Sequence, residues 1–243
     1  MKTQVIHINQ TDSTNSYIKK LPPPSHDEML VVTADFQTAG RGQGSNHWES
    51  EAGKNLLCSV MVSPTQVKPT HQFLLSEAGA LAVAGALSVY TDGISLKWPN
   101  DIYWHDRKIS GTLIETTMAT GKLRTCVFGI GVNVNQRMFL SDAPNPVSLW
   151  QILGRETDKE ELMKRILQAL DDNLQILYAG DEKNVSTIYH EHLYRREGFF
   201  PYLDADGSFM AEIMAVADEG PITLRDTAGK IRQYHFKEVQ FLL

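Results

Sequence analysis

Residues Thr33–Trp48, TADFQTAGRGQGSNHW, decide how the rest of the chain is read. The stretch opens as the end of a strand and runs into a loop where Gly40, Gly42 and Gly44 surround one cation, Arg41. Glycine at alternate positions permits positive φ and lets backbone approach a ligand closely. Bare N–H groups beside a guanidinium suit a phosphate or a carboxylate. Trp48 then supplies a flat surface able to cover an apolar ligand. A glycine-rich loop alone also fits a surface hairpin. Two further stretches weigh against that bland reading: KWPND at Lys97–Asp101 and GIGVNVN at Gly129–Asn135.

On the N-terminal side, Val5–Ile8 alternates as a short strand and leads into Thr11-Asp12-Ser13-Thr14-Asn15. These residues fit a helix N-cap. They fit equally a cluster of small polar groups that hydrogen-bonds a ligand head at a helix start, and the two roles are compatible. Pro22–Pro24 ends that helix, and Met29–Ala34 is a buried strand feeding the loop. On the C-terminal side, Asn55–Val62 reads as a strand and Gln72–Tyr90 as a helix, with Gly79 and Gly85 marking close packing on a sheet. Ile94–Trp98 is a strand, Trp104–Arg107 a hairpin turn, Lys108–Glu115 its return strand and Leu123–Val134 another strand.

Ser148-Leu149 starts a helix, and Asp158–Leu177 repeats Leu162, Ile166, Leu170 and Leu174 at helical spacing. Thr187–Leu193 is helical too, which puts His190 and His192 on different faces and argues against a metal pair. From about Gly198 the texture changes to short strands at Phe199–Leu203, Phe209–Ala217, Ile222–Arg225 and Tyr234–Leu242, parted by turn signals. That pattern describes a small β-barrel appended to an α/β body.

The chain has 243 residues and 42% apolar content, enough for a sizeable core. Its net charge of −6, without a basic block, makes nucleic acid a poor default partner. Cys58 and Cys126 sit in apolar runs without metal-ligand spacing, as buried thiols of a reducing cytosol do. The N-terminus lacks the apolar core of a signal peptide, and no run is long enough to span a membrane. The expectation is a cytoplasmic protein.

Lys97 at a strand end is by itself an ordinary surface lysine. Next to an anion-binding loop, a fixed cation neutralises a carboxylate attacking a phosphate, or the charge of the transition state. Asp101 could orient Lys97 or bind magnesium through water; no metal ligand is firmly assigned. There is no Walker-type loop, GxSxG, HExxH or CxxC motif, so the nucleophile is expected from the substrate.

Together these stretches resemble biotin protein ligases, the biotin–[acetyl-CoA-carboxylase] ligases. The matching parts are Asp12-Ser13-Thr14-Asn15, Gln37-Thr38-Ala39-Gly40-Arg41-Gly42 with Trp48, Lys97–Asp101, Lys108–Glu115 and Gly129–Val134. The resemblance implies an α+β fold: a mixed sheet covered by helices, as in class II aminoacyl-tRNA synthetases, with a small C-terminal SH3-like β-barrel. The implied division is residues 1–195 and 196–243. The implied reaction joins biotin to AMP from ATP with Mg2+, then transfers biotin to a lysine of a biotin carboxyl carrier domain of a carboxylase.

By position, Lys97 and Arg41 would be catalytic. Ser13, Thr14, Asn15 and Gln37 would hold the biotin head. Gly40, Arg41, Gly42, Gln43 and Trp48 would line the loop side together with Lys97. Asn100, Gly131 and Asn133 would serve the nucleotide, and Lys108 less directly. Gln43 stands where the family often has a second arginine, and Ser45-Asn46 where Gly-Arg is common. No helix-turn-helix precedes residue 5, so the repressor role of longer relatives is not expected. A lipoate–protein ligase and a non-catalytic biotin-binding protein are the rival readings, and the oligomeric state is open.

Overall fold

The computed structural model describes residues 1–44, 46–140 and 145–243. Its first sheet comprises β1 (Lys2–Thr11), β2 (Glu28–Gln37), β3 (Leu56–Val62), β4 (Ile94–Lys97), β5 (Asp101–Trp104), β6 (Arg107–Ala119) and β7 (Lys122–Val132). The spatial order is β1-β2-β3-β7-β6-β5-β4. The β1–β2 pair is parallel and every other pair antiparallel, so the sheet is mixed. Each expected strand corresponds to one of these elements; the first is longer than its alternating core, and Asn55, Trp98 and Asn133-Val134 fall just outside β3, β4 and β7.

Side chains alternate across the sheet, and its two faces have different partners. Cys126, Phe128, Ile130 and Val132 of β7 enter the main core. That core is covered by α2 (Phe73–Ser88), and α4 (Lys159–Tyr178) packs against α2. Val127 points the other way, into a smaller cluster with Ile18, Val32 and Met61, capped by α1 (Thr14–Ile18). The next β7 positions on that second face are Gly129 and Gly131.

Two other helices complete the body. α3 (Leu149–Leu153) begins in a capping box in which Gln151 N–H donates to Ser148 Oγ at 3.2 Å. α5 (Glu182–Glu191) starts five residues earlier than expected, because the run EKNVS hides its helical period behind charge. Its buried positions are Val185 and Tyr189. Among the described residues no helix is long and apolar enough to cross a membrane.

The C-terminal region forms a second, antiparallel sheet ordered β11-β10-β9-β8-β12. Its strands are β8 (Phe200–Asp204), β9 (Gly207–Val216), β10 (Ile222–Asp226), β11 (Ile231–Tyr234) and β12 (Gln240–Phe241). The single strand expected over Tyr234–Leu242 is therefore two. His235 N–H donates to Glu238 Oε2 at 2.6 Å, and Lys237 turns the chain at φ 72°, which breaks the run.

This module is joined to the first sheet through β4. Leu96 N–H donates to the His192 carbonyl at 2.8 Å, and Tyr194 N–H to the Leu96 carbonyl at 2.8 Å, so residues 192–194 cover the free edge of β4. Trp98 Nε1 donates to the Gly220 carbonyl at 2.9 Å. Tyr103, Tyr194, Phe241 and Tyr202 meet in that order through tilted and edge-on ring contacts and belong to the main core.

The two glycines of α2 do different things. A Cβ at Gly79 would meet Phe128 Cδ1 at 2.9 Å, whereas one at Gly85 would meet nothing within 4 Å. The close packing expected of both exists only at Gly79. We expect Gly79→Val to destabilise the fold by about 1–3 kcal/mol and Gly85→Ala to stabilise it by about 1 kcal/mol, as read from denaturant midpoints. Equal effects would contradict the packing described.

On the same helix Glu77 is fully buried, and neither carboxyl oxygen has a hydrogen-bond partner among the described residues. Burial, aided by the Asp218 charge, pushes its pKa from 4.5 to about 8. Between those values the folded chain holds a proton that the unfolded chain has lost, so stability falls as pH rises through this window. Glu77→Gln should flatten that decline in melts from pH 5 to 8; an unchanged slope would assign the decline elsewhere.

Candidate active site

Gly111 of β6 lies opposite Gly131 of β7, with Gly129 two residues before on the same face. A Cβ at Gly131 would sit 2.5 Å from Trp48 Cε2, and one at Gly111 would sit 3.1 Å from Trp48 Cζ3. The indole thus rests on ground that only glycine leaves open. A Cβ at Gly129 would collide with the Asn15 carboxamide. The GIG stretch is therefore a floor that admits two side chains from elsewhere in the chain.

The start of α1 is fastened to three strands. Gln37 Oε1 accepts from the Thr14 N–H at 2.8 Å and its hydroxyl at 3.1 Å. Ser59 Oγ lies 2.7 Å from Thr14 Oγ1 and 2.5 Å from Asn15 Oδ1, and Asn15 Nδ2 donates to Glu115 Oε2 at 2.9 Å. Ser13 occupies the N-cap position with extended backbone, yet its side chain makes no capping bond. It lines the cavity instead.

The loop closes on itself: Gly42 N–H donates to the Asn46 carbonyl at 2.7 Å and Trp48 N–H to the Gly40 carbonyl at 3.0 Å. Of its three glycines only Gly44 has positive φ, at 68°. At Gly40 the need is space, since a Cβ would meet the Trp48 carbonyl oxygen at 2.6 Å. Ser45 lies outside the described residues.

Between this loop, α1 and the KWPND turn lies a cavity of about 440 Å³. Ser13, Thr14, Asn15 and Gln37 line one end, and Arg41, Gly42, Gln43 and Trp48 line the loop side. Lys97, Asn100, Lys108 and Gly131 also reach it. Gly40 and Asn133, expected to serve the ligands, are not among the described residues that line it. Asn133 is buried, and its Nδ2 donates to the Val147 carbonyl at 3.1 Å. Sequence reasoning missed the wall from the C-terminal module, where Phe236, Lys237, Val239 and Phe241 enter. No local signal announces it, because it exists only once the module docks.

The cations are held differently. The Lys97 ammonium lies 5.3 Å from the Tyr103 ring centroid and 4.9 Å from that of Phe241, with no ion pair among the described residues. Burial holds its pKa below the usual 10.5; the Asp101 charge opposes this, and Lys108 and Arg195 add to it. Asp101 itself pairs with Lys108, Oδ1 to Nζ at 2.6 Å, so it orients that lysine. Arg41 Nη2 lies 3.4 Å from Glu115 Oε1, which Lys19 also contacts at 2.8 Å. Burial raises the Glu115 pKa, but the Lys19 and Asn15 bonds and the Lys19 and Arg41 charges outweigh it and hold it low.

The mixed-sheet body thus carries a cavity with several cationic side chains, closed on one side by the small antiparallel module. The chain belongs to the biotin/lipoate A/B protein ligase family, matched over residues 7–133. It is 26% identical to the bifunctional ligase/repressor BirA of Bacillus subtilis, over 94% of this chain and 71% of that one. It is 30% identical to the biotin–[acetyl-CoA-carboxylase] ligase of Paracoccus denitrificans, over 67% of this chain and 69% of that one. The solved structure of biotin protein ligase from Aquifex aeolicus in complex with biotin and ATP superposes with a TM-score of 0.79 at 26% identity. That alignment covers 98% of this chain and 99% of the other.

Gly131→Ala should expel the Trp48 indole and shift part of the tryptophan emission to the red, with no such shift in a Trp48→Phe background. An unchanged spectrum would place the ring elsewhere.

Proposed function

We propose that this chain is a biotin–protein ligase that activates biotin with ATP and transfers it to a lysine of a carboxylase carrier domain. The observation that carries the reading is that Arg41 and Lys97, far apart in sequence, line one cavity with the polar start of α1. In the first step a biotin carboxylate oxygen attacks the α-phosphorus of ATP. The bond from that phosphorus to the bridging oxygen breaks, and pyrophosphate leaves with the electron pair. In the second step the acceptor amine attacks the acyl carbon, loses a proton, and AMP departs. Neither step requires a covalent enzyme intermediate.

Ser13, Thr14 and Gln37 hold the ureido head, with Asn15 as the brace that ties α1 to Ser59 and Glu115. Lys97 sits where carboxylate and α-phosphate meet, and its desolvated setting strengthens its attraction for both anions. Arg41 with the backbone of Gly42 lines the acyl-phosphate side, beside Gln43. Trp48 covers the bound acyl group. Asn100 and Gly131 face the nucleotide, and Asn133 fixes the end of β7 beneath it. Magnesium enters as part of the nucleotide substrate, since the cavity carboxylate Asp101 is already engaged with Lys108. Residues 1–195 form the ligase body and residues 196–243 the module that completes its cavity, in a cytosolic protein.

Incubation with labelled biotin, ATP and a carrier domain should place label on the carrier lysine; labelling by lipoate in preference to biotin would favour the lipoate reading. Lys97→Ala should abolish adenylation while the melting curve stays cooperative. Because Lys97 titrates below 10.5, the alkaline limb of adenylation should begin below that pH and vanish in Lys97→Arg. Full transfer activity in Lys97→Ala would refute its role.

A further inference from the structure

We propose that Lys237, carried by the C-terminal module, binds the polyphosphate of the nucleotide and holds the departing pyrophosphate. The inference rests on the adenylation reading above. Lys237 lines the same cavity as Arg41, Lys97 and Lys108. Its ammonium comes so close to Gly44 that a Cβ there would overlap Nζ, and would meet Cε at 3.1 Å. It therefore stands at the tip of the glycine loop, across from Arg41 near the loop's base.

The four cations differ in what already neutralises them. Arg41 has Glu115 and Lys108 has Asp101. Among the described residues Lys97 and Lys237 have no ion pair. Lys97 is half-buried against Tyr103 and Phe241, whereas Lys237 is exposed at the rim. A rim cation free of a carboxylate suits the outer phosphates, whose negative charge grows as the bond to the α-phosphorus breaks.

The backbone at Lys237 is also committed to this placement. Its φ of 72° is in the left-handed region, uncommon for a residue with a Cβ. The turn is held by the His235 N–H to Glu238 Oε2 at 2.6 Å and the Glu238 N–H to His235 carbonyl at 3.1 Å. Next to Gly44, Gln43 lines the same cavity with a neutral amide whose buried Oε1 has no hydrogen-bond partner among the described residues. Gln43 cannot supply the missing charge from the loop, so the module supplies it.

The test compares wild type, Lys237→Gln and Lys237→Arg as full chains in biotin-dependent pyrophosphate–ATP exchange, with calorimetry of inorganic pyrophosphate and of biotin alone. Lys237→Gln should raise KM for ATP and for pyrophosphate about tenfold, the loss of one charge-assisted contact. It should weaken pyrophosphate binding alike and leave biotin affinity unchanged. Lys237→Arg should restore both, and Gln43→Arg should rescue Lys237→Gln in part. Unchanged KM values and pyrophosphate affinity in Lys237→Gln, with active wild type, would overturn the role of Lys237. An equal loss of biotin affinity would overturn it too, marking a structural residue. Absence of exchange in wild type would instead sink the ligase reading itself.

Discussion

The structure depends on three missing side chains. Gly111, Gly129 and Gly131 leave a bare patch on one face of an otherwise well-filled sheet. Any Cβ at Gly129 would displace Asn15, and with it the brace that joins α1 to Ser59 and Glu115. Any Cβ at Gly131 would lift Trp48 and the loop attached to it. The opposite face of β7 compensates: Phe128, Ile130 and Val132 are buried against the helical layer, so the strand keeps its place while its other face stays open.

Charge is then distributed over this floor in two ways. Carboxylates anchor Arg41 and Lys108, which fixes their positions at the expense of free charge. Lys97 is held instead by the faces of Tyr103 and Phe241, so its position is fixed without neutralisation. Aromatic clamping of this kind keeps a cation available for an incoming anion, in a setting where water screens it little. The desolvation that lowers the Lys97 pKa is the same desolvation that makes its charge effective.

Much of this was legible because the motifs are local. A strand running into Gly-Arg-Gly, a KWPND turn and a GxG strand each state their own conformation, and the mixed sheet follows from the strands between breakers. Their meeting in one cavity was legible only through resemblance. What stayed hidden has physical reasons. The role of Gly129 and Gly131 as a floor for Asn15 and Trp48 depends on pairing register, which single strands do not encode. Gly85 looks like Gly79 in sequence but faces open space. The division of the run from Tyr234 to Leu242 turns on one left-handed lysine, a residue type that gives no turn signal. The wall contributed by Phe236 and Phe241 is a tertiary product with no local trace.

The contact between Lys97 and Phe241 has a consequence for how the molecule comes together. It joins positions 97 and 241, and the covering of β4 by residues 192–194 is also distant in sequence. Such high-contact-order closures form late, after the local hairpins β4–β5 and β5–β6 have assembled. Until those closures form, the cavity lacks the wall that Phe236 and Phe241 supply. Ligand recognition and global folding become one cooperative event, so a bound ligand raises the stability of both sheets together.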